Sequence, residues 1–525
     1  MKRFLIMALV GVVSLGLGSA AYAVECALDA VPASTLLFPF VQYDFDQGRI
    51  DDSGQTTLFA ITNVSSEAVI VHVTVWTDYS VAILDFNLTL TGYDVQAINI
   101  RDIFREGILP SDDSGANEWW DGGTPPGSNA GDPPLDDGPY SSFNELWAGA
   151  LDTYFINYGL PDPQSTAGLL CDPAVYDASP VNYRAPDGNI PPGTLAIFEG
   201  YLRSSENVET GYSDCNWGGD VTNLFPLGTW FTNQAPRATA MYITADVVNA
   251  CNKDLPDGQF AAYFSTAPLS SGVRIANQLM GDQIWLDAAN NYSEADNAVH
   301  LEANAGIVST PIGAKMSTFY HGLHTTDATA QDYREPLPTA WGFRYMNAPG
   351  TDVFSWVRAW RGSMERAIVP DLAQDDDGVP LISGPSPAEL WSESCVPYTY
   401  YSWDEDENVN SVREVPPWSG TTDEPVPVPN QFPLETQEVA IDEFFVVENA
   451  AGNFFGWMMV IWASSNTTPA MVDPAAMDSY QTWMGVKYAA FGQYTAGLSG
   501  AVLANYNCDA TQVLPELGIG LTVSP

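Results

Sequence analysis

Apolar and polar residues alternate along residues 56–104, in four runs separated by turn residues. In the clearest run Val69, Val71, Val73 and Val75 fall on one face of an extended chain, and His72 falls on the other. A period of two is typical of a β-strand that buries one face. The stretch therefore predicts the body of a β-sandwich.

Residues 35–43 form an earlier strand-like run, TLLFPFVQY. Pro39 lies inside it, and proline has no N–H to donate to a neighbouring strand. The run is therefore predicted to be a strand that lies at a sheet edge or carries a bulge at Pro39.

Later segments mix strand-like patterns with long Gly-, Pro- and Asp-rich loops. Residues 237–248 and 298–303 are predicted as strands, residues 143–158 as a helix, and residues 193–203 as a strand or a short helix. The stretch from 110 to 140 has almost nothing to bury and is predicted as a surface loop.

An internal repeat is indicated when residues 341–361 are laid on residues 58–77. Asn347 then falls on Asn63, and Trp360 falls on Trp76. The separation from Asn to Trp is thirteen residues in each segment. Residues 438–445 parallel residues 94–104, and strand-like runs follow at 455–463 and 481–494. The repeat predicts a second sandwich built like the first.

The predicted fold class is mainly β: two immunoglobulin-like β-sandwiches with a loop-rich, disulfide-containing central region. Residues 24–108 form the predicted N-terminal sandwich and residues 336–525 the C-terminal one. Residues 109–335 form the predicted central region, with some strands and a short helix.

The N-terminal segment, residues 1–23, has the pattern of a secretory signal peptide. Lys2 and Arg3 precede an apolar run from Phe4 to Leu17, and small residues end at Ala23. The mature chain is therefore predicted to be secreted, extracellular or at the cell surface. No later run reaches the roughly 18 apolar residues of a membrane helix, so no integral membrane segment is expected after cleavage.

The charge is strongly acidic. Removing Lys2 and Arg3 from the 18 basic side chains leaves 16 against 65 acidic ones, a net charge of −49. Such a field repels nucleic acid and anionic membranes, and it favours divalent cations or high ionic strength. No nucleic-acid partner is expected, and plain solubility in a saline setting remains an alternative to specific cation sites.

Six cysteines lie in the exported part, and an even number in an oxidising compartment predicts three disulfides. No pair has CxxC spacing, which disfavours zinc and thiol-redox sites. Connectivity stays open, although Cys171 and Cys215 bracket one loop-rich region. The candidates are Cys26, Cys171, Cys215, Cys251, Cys395 and Cys508.

Calcium is the candidate cofactor, because clustered carboxylates on a loop repel one another unless a hard cation or water separates them. The run from 375 to 378 resembles the centre of an EF-hand loop, but Ala373 and Gly384 occupy its first and twelfth positions. Solvated acidic loops are the alternative. The candidate ligands are Asp375, Asp376, Asp377, Asp404 and Asp406.

Candidate chemistry is sparse. The chain has four histidines and no G-x-S-x-G pentapeptide, which leaves carboxylate chemistry as the plausible catalytic route. Aromatic residues in predicted loops suit a glycan ligand or packing between domains or subunits. They are Trp119, Trp120, Trp217, Trp230, Trp418 and residues 398–401. The sequence favours a secreted or cell-surface structural or binding protein, with self-association or a glycan or surface ligand; a secreted hydrolase acting on polysaccharide is the alternative.

Several sequence blocks, and their order along the chain, resemble those of a family of uncharacterised exported bacterial β-rich proteins. The blocks are LLFPFV (36–41), VWTD (75–78), LTGYDVQ (90–96), NIRDIF (99–104), TADVVNAC (244–251), WLDAANNY (285–292), VHLEA (299–303) and REPLP (334–338). The resemblance implies export and a shared β-rich fold. It implies no activity and no site residue.

Overall fold

The computed structural model describes the strands, one helix and the shorter connections. The described residues are 31–45, 54–67, 69–78, 80, 82–90, 92–108, 192–203, 239–249, 256, 263–264, 272–288, 292–303, 319–320, 332–335, 337–346, 353–362, 371–374, 380–383, 396–404, 409–413, 431–432, 435–441, 455–464, 478–479, 481–490, 494–499 and 501–505. The predicted signal peptide, the predicted helix 143–158 and all six cysteines lie outside them.

The described chain is mainly β, and its strands pair antiparallel. The strands of the first half are β1 (Thr35–Tyr43), β2 (Gln55–Asn63), β3 (Val69–Thr77), β4 (Ala82–Leu90), β5 (Val95–Asn99), β6 (Thr239–Val248), β7 (Leu279–Asp287), β8 (Tyr292–Asn297) and β9 (Val299–Leu301). A π-helical turn, Asp102–Glu106, follows β5, and helix α1 spans Pro192–Leu202.

The second half continues the count. Its strands are β10 (Pro338–Met346), β11 (Val353–Arg361), β12 (Asp371–Gln374), β13 (Pro380–Ser383), β14 (Val396–Pro397), β15 (Thr399–Asp404), β16 (Val409–Arg413), β17 (Gln431–Phe432), β18 (Thr436–Ala440), β19 (Phe455–Ile461), β20 (Ala463–Ser464), β21 (Asp478–Ser479), β22 (Thr482–Ala490), β23 (Tyr494–Ser499) and β24 (Ala501–Asn505). Three short pairs, β12–β13, β14–β17 and β20–β21, lie outside the large sheets.

The first unit consists of two sheets. Sheet A has the order β4-β3-β6-β1-β9, and sheet B has the order β5-β2-β7-β8. Leu36 and Phe38 of sheet A share one buried core with Phe59 and Ile61 of sheet B. Burying one face of each sheet against the other supplies the main stabilisation of such a pair of sheets.

These two sheets differ from the predicted division at residue 108. The central strands β1 and β2 pair with β6 and β7, which come from residues 239–287. The strands assigned by sequence to a central region therefore complete the sheets that begin near residue 35. Alternation identifies a strand but carries no information on its partner, which explains the difference.

The second unit repeats this topology. Sheet C has the order β16-β15-β19-β10-β24, and sheet D has the order β18-β11-β22-β23. When only the strands of the large sheets are numbered, starting from one in each unit, sheets A and C have the same strand order. Sheets B and D also have the same strand order as each other. The registers agree as well: Leu58, fourth in β2, faces Asn99 at the end of β5, and Trp356, fourth in β11, faces Ala440 at the end of β18.

The repeat is therefore present, but the predicted alignment was displaced by one strand. β10 and β11 correspond to β1 and β2, whereas the sequence alignment laid them on β2 and β3. Strands of similar length and equal period look alike in sequence, so the Asn-to-Trp spacing was a coincidence. The parallel between the segments that contain β5 and β18 agrees with the topology.

Strand β1 carries the predicted bulge. Its register with β6 shifts between Phe38 and Val41, where Pro39 lies, and the strand is second from the edge of sheet A. The carbonyls freed at the bulge are bonded by side chains. Thr436 Oγ1 donates to Pro39 O over 2.6 Å, and Trp285 Nε1 donates to Phe40 O over 2.8 Å.

Strand β3 departs from the expectation of one buried face. All nine of its residues are buried, including His72 and Thr74. His72 Nδ1 lies 3.1 Å from Asn87 Oδ1, so the polar side of the strand is buried with a hydrogen-bonding partner. Sheet A is therefore covered on both faces at this strand.

The remaining local predictions can be compared directly. Residues 237–248 and 298–303 contain strands β6 and β9, and 455–463 and 481–494 contain β19 and β22. The segment 193–203 is helical. Of the helices within the described ranges, none combines the length and the apolar character needed to span a bilayer.

Candidate functional site

The face of sheet D that points away from its own core is covered by the first unit. In β11, Val357 and Ala359 point toward sheet C and join the core between the two sheets. Arg358 and Trp360 alternate with them and face the first unit, where the ring of Trp360 lies 5.7 Å from that of Tyr242. The period of two thus places large and charged side chains at a contact between units.

Arg358 is the centre of this contact. Its Nη1 lies 3.0 Å from Glu294 Oε2 of β8, and its Nε lies 2.8 Å from Glu438 Oε2 of β18. The guanidinium also lies 4.0 Å from the ring centroid of Trp285 and 5.0 Å from that of Phe40. The side chain is 1% exposed, so a single buried cation joins a carboxylate of each unit.

Lys487 completes the charge balance. Its Nζ lies 3.1 Å from Glu438 Oε1 and 5.1 Å from the ring centroid of Tyr292. Burial raises the pKa of Glu438, but Lys487 and Arg358 outweigh it and lower the pKa to about 2. Burial raises the pKa of the Tyr292 hydroxyl, although Arg358 opposes this shift. Tyr292 is therefore neutral, and Glu438 is ionised.

The neighbouring edge strand leaves room for this cluster at Gly497. A Cβ at that position in β23 would collide with the Glu294 carboxylate. Strands β8 and β23, the corresponding edge strands of sheets B and D, therefore approach closely here. The close approach holds Glu294 against Arg358.

Glu438 is expected to make stability depend on pH. Its pKa is about 2 in the folded chain against an ordinary 4.5, so the unfolded chain takes up this proton first as the pH falls. The stabilisation is complete above about pH 4.5 and is lost toward pH 2, about 3 kcal/mol in all. The free energy of unfolding, measured in urea between about pH 6 and about pH 3, should fall less steeply in Glu438→Gln than in the unchanged protein. Equal slopes would contradict this assignment.

A second buried cluster lies on the outer face of sheet A, around Asp246 of β6. Its Oδ2 accepts hydrogen bonds from Tyr263 (2.5 Å) and Tyr320 (2.6 Å). Its Oδ1 accepts from Thr35 and lies 3.0 Å from Arg334 Nη2. Asp246 and Arg334 are each at most 1% exposed, so this ion pair is fully removed from water.

Arg334 is bonded to two carboxylates. Its Nη1 lies 3.1 Å from Asp332 Oδ1, and its guanidinium lies 5.3 Å from the ring centroid of Tyr320. Burial lowers the pKa of Arg334, but Asp246 and Asp332 outweigh burial and raise the pKa. Burial, and then Asp246, raise the pKa of the Tyr320 hydroxyl, which stays a hydrogen-bond donor.

Neither cluster offers a carboxylate placed for acid–base catalysis. A general acid or base must reach a substrate proton, and these carboxylates are largely buried and bonded to arginine or lysine. The lowered pKa of Glu438 also keeps this group ionised at neutral pH. Within the described ranges no group of three His, Cys, Asp or Glu residues could hold a metal ion.

The sequence-predicted site residues lie elsewhere. Asp404 ends strand β15, and the other candidate calcium ligands lie outside the described residues. Tyr398, Tyr400 and Tyr401 were assigned to a loop, but the last two lie in β15 and all three are buried. Pairing of β15 with β19 places Tyr400 and Tyr401 within a sheet, which local sequence did not reveal. The remaining predicted loop aromatics lie outside the described residues.

Arg358 and Arg334 were not identified from the sequence. A usable signal is present for Arg358, which sits within the otherwise apolar and aromatic strand VFSWVRAWR. A basic residue on a strand face flanked by tryptophans is typical of a buried charge with aromatic partners. Arg334 stands in an irregular segment, where no periodicity marks it.

The exposed face of sheet B is the third candidate surface. Val95 is 57% exposed and Ile284 is 38% exposed, and Ala97 and Ala295 beside them are exposed as well. Leu58, between Ile284 and the end of β5, is half-buried. Asp282 is a charged side chain on this face, which is otherwise composed of small, apolar and neutral polar residues.

Comparison of the chain with family models, curated proteins and solved structures finds no match. Function is therefore inferred from the residues of this chain. The two clusters are buried within the fold, whereas Val95 and Ile284 on the outer face of sheet B are exposed.

Proposed function

We propose that the protein is a secreted or cell-surface structural or binding protein that binds through the exposed face of sheet B. The observation that carries this proposal is the near absence of charge on that face, in a chain with 65 acidic and 18 basic residues. An exposed apolar patch with a polar surround is typical of an interaction surface. Export by the N-terminal segment and three disulfides among the six cysteines are parts of the same proposal.

The proposal includes two immunoglobulin-like sandwiches in tandem. In the first unit β1 pairs with β6 in one sheet, and β2 pairs with β7 in the other. The chain thus changes sheets between β1 and β2, and again between β6 and β7. Crossed connections of this kind are found in Greek-key sandwiches, and the second unit repeats them with β10, β11, β19 and β22.

The polysaccharide hydrolase is the weaker candidate. Such enzymes place two carboxylates several ångströms apart in a cleft open to the sugar. The carboxylate pairs around Arg334 and Arg358 are instead bridged by a guanidinium and largely buried. In the part of the chain described, the charges stabilise contacts between segments.

Retention on the producing cells tests the proposal. The exported chain is compared with Ile284→Lys, which places a charge on the sheet B face, and with Gly200→Lys as a matched control. Gly200 is exposed on α1, and nothing lies within 4 Å of a Cβ built there. We expect the unchanged chain and Gly200→Lys to stay with the cells, Ile284→Lys to be released, and no variant to hydrolyse polysaccharide or ester substrates.

Two outcomes would overturn this proposal. One is equal retention of Ile284→Lys and the unchanged chain, which would place binding elsewhere. The other is hydrolysis that is abolished by replacing one Asp or Glu, which would favour the enzyme. We expect Ile284→Lys to keep the fold, because Ile284 is 38% exposed and a lysine at this position can extend into solvent.

A further inference from the structure

The outer face of sheet B is exposed where the corresponding face of sheet D is covered. In sheet B, Leu58 pairs with Ile284 across β2 and β7; at the same register of sheet D, Trp356 pairs with Lys487. Ile284 is 38% exposed, whereas Arg358, two residues after Trp356, is 1% exposed and bonded to the first unit. The repeat therefore uses this sheet face for packing in the second unit and exposes it in the first.

The face of sheet B is nearly free of charge. It consists of the residues of β5, β2, β7 and β8 that alternate with the buried ones. Asp282 is the carboxylate among them, and the other side chains on the face are Ala, Val, Leu, Ile, Met, Ser, Thr and Asn. A partner of this face therefore needs an apolar or neutral surface.

The β5 edge of sheet B is protected against an added strand. Asn63 N donates to Asp94 O, so the backbone groups of Val95 and Ala97 point away from β2. On that free side Val95 N donates to Asp94 Oδ1 over 2.8 Å. Ala97 O accepts from Gln96 Nε2 over 2.9 Å. Side chains thus occupy backbone groups that an added strand would need, so a partner is expected on the face of the sheet.

Tyr93 stands at the end of this face, two residues before Val95. It is 73% exposed, and its φ of 63° lies in the left-handed region, which is strained for a residue with a Cβ. Its N–H donates to Ser65 O over 2.9 Å, and a Cβ at Gly92 would lie 2.5 Å from Ser66 O, so the turn is held against the chain that follows β2. The fold buries little of this ring. An exposed aromatic side chain on a strained, fixed turn is typical of a contact residue.

We propose that two copies of the chain pair through the outer face of sheet B, as a two-fold dimer in which Tyr93 of each copy anchors the end of the contact. The inference rests on the proposed function, because it names the partner of the sheet B face. Pairing doubles the contacts that one particle makes with a cell, so it also strengthens retention by avidity.

Charge and burial favour the same face of a second copy as the occupant. The mature chain has a net charge of −49, so two copies repel one another over most of their surfaces. Among the other large sheets described, the outer face of sheet A is buried at β3, and that of sheet D lies under the first unit. The outer face of sheet C includes Tyr401 and Met459, each 1% exposed. The charge-poor face that one copy offers to another is thus sheet B itself, and a contact between like faces closes at two copies.

The size of the face predicts a weak dimer. A strand spacing of about 4.8 Å and a rise of about 3.4 Å per residue give roughly 500 Å² per copy, or about 1,000 Å² for the pair. That area is near the lower limit for a specific interface, so the ring of Tyr93, which adds contact area beyond the strands, is expected to contribute strongly. Sodium chloride should strengthen association, because salt screens the general repulsion and leaves apolar contact intact.

A charge exchange at Ile284 tests the pairing of like faces. In sedimentation velocity the unchanged exported chain and Gly200→Lys should show a monomer–dimer equilibrium. Ile284→Lys and Ile284→Glu should each be monomeric, because each places two like charges in the contact. Their equimolar mixture should dimerise again, because opposite charges then meet. In a contact between unlike faces, mixing these two variants would restore nothing.

Two further variants probe the anchor and the carboxylate. Asparagine adopts the left-handed conformation more readily than tyrosine, so Tyr93→Asn should raise the unfolding midpoint of the monomer. It should also raise the dissociation constant of the dimer at least tenfold, because the anchoring ring is lost. Asp282→Asn should lower the dissociation constant, since it removes one carboxylate of each copy from the contact.

Other results would overturn the inference. If the mixture stayed monomeric while both Ile284 variants kept the unfolding midpoint of the unchanged chain, the two faces would not be partners. Species larger than a dimer in the unchanged chain would show a contact between unlike faces, and unchanged association of Tyr93→Asn would exclude Tyr93 as the anchor. A monomeric unchanged chain that still loses cell retention in Ile284→Lys would leave the proposed binding function standing and exclude a second copy as its partner.

Discussion

Replacing Arg358 with methionine is expected to lower the free energy of unfolding by about 3–5 kcal/mol, the usual cost of breaking a buried ion pair from one side. Glu294 would lose the cation beside it, and Glu438 would lose Arg358 while keeping its contact with Lys487. The ring of Trp285 would lose the guanidinium that lies 4.0 Å from its centroid. Urea unfolding at neutral pH measures the change.

The matched control is Arg344→Met. Arg344 belongs to β10 and is exposed, so the same substitution should change stability by no more than about 0.5 kcal/mol. Arg358→Lys separates charge from shape, because lysine keeps the cation but cannot bind two carboxylates through a planar fork. It should fall between the unchanged protein and Arg358→Met. Equal stability of the two methionine variants would show that the cluster does not hold the units together.

Local sequence was sufficient to locate many strands. The bounds predicted for β1 coincide with those observed, and the bulge at Pro39 follows from the missing N–H of proline. The alternation in β3 is likewise a property of neighbouring residues. These features do not depend on which segment lies beside the strand.

Pairing and burial depended on distant residues. β6 inserts between β3 and β1 in sheet A although more than a hundred residues separate it from them along the chain. This insertion brings Asp246 opposite His72, and the ring of Tyr263, 5.6 Å from that of His72, lies over this face of β3. No period in the sequence marks that neighbour, so the division at residue 108 and the alignment of the repeat could not be obtained from pattern alone.

The burial of the site residues likewise could not be predicted from local sequence. Ala60 and Arg358 occupy corresponding positions in strands of equal length, yet one is on an open face and the other is buried between units. Which of them is buried depends on the position of the first unit against sheet D. The acidic runs proposed as calcium sites were conspicuous in composition, whereas the residues that join the units are isolated charges within apolar strands.

Replacing Asp246 with leucine is expected to cost about 3–5 kcal/mol, because Arg334 would be left buried with Asp332 as its remaining carboxylate. The hydroxyls of Tyr263 and Tyr320 would also lose their acceptor. Asp282→Leu is the control, since that carboxylate is exposed on β7 and its loss should change stability by no more than about 0.5 kcal/mol.

A double-mutant cycle then tests whether Asp246 and Arg334 act as a unit. Arg334→Met alone leaves the Asp246 carboxylate buried without its cation, whereas Asp246→Leu with Arg334→Met removes both charges and fills the space with apolar side chains. The double variant should therefore be more stable than the sum of the two single losses implies, by about 1–3 kcal/mol. Urea unfolding of the four proteins at one pH measures this difference. Strict additivity would mean that the two side chains contribute independently, and that the ion pair on the outer face of sheet A is not a source of stability.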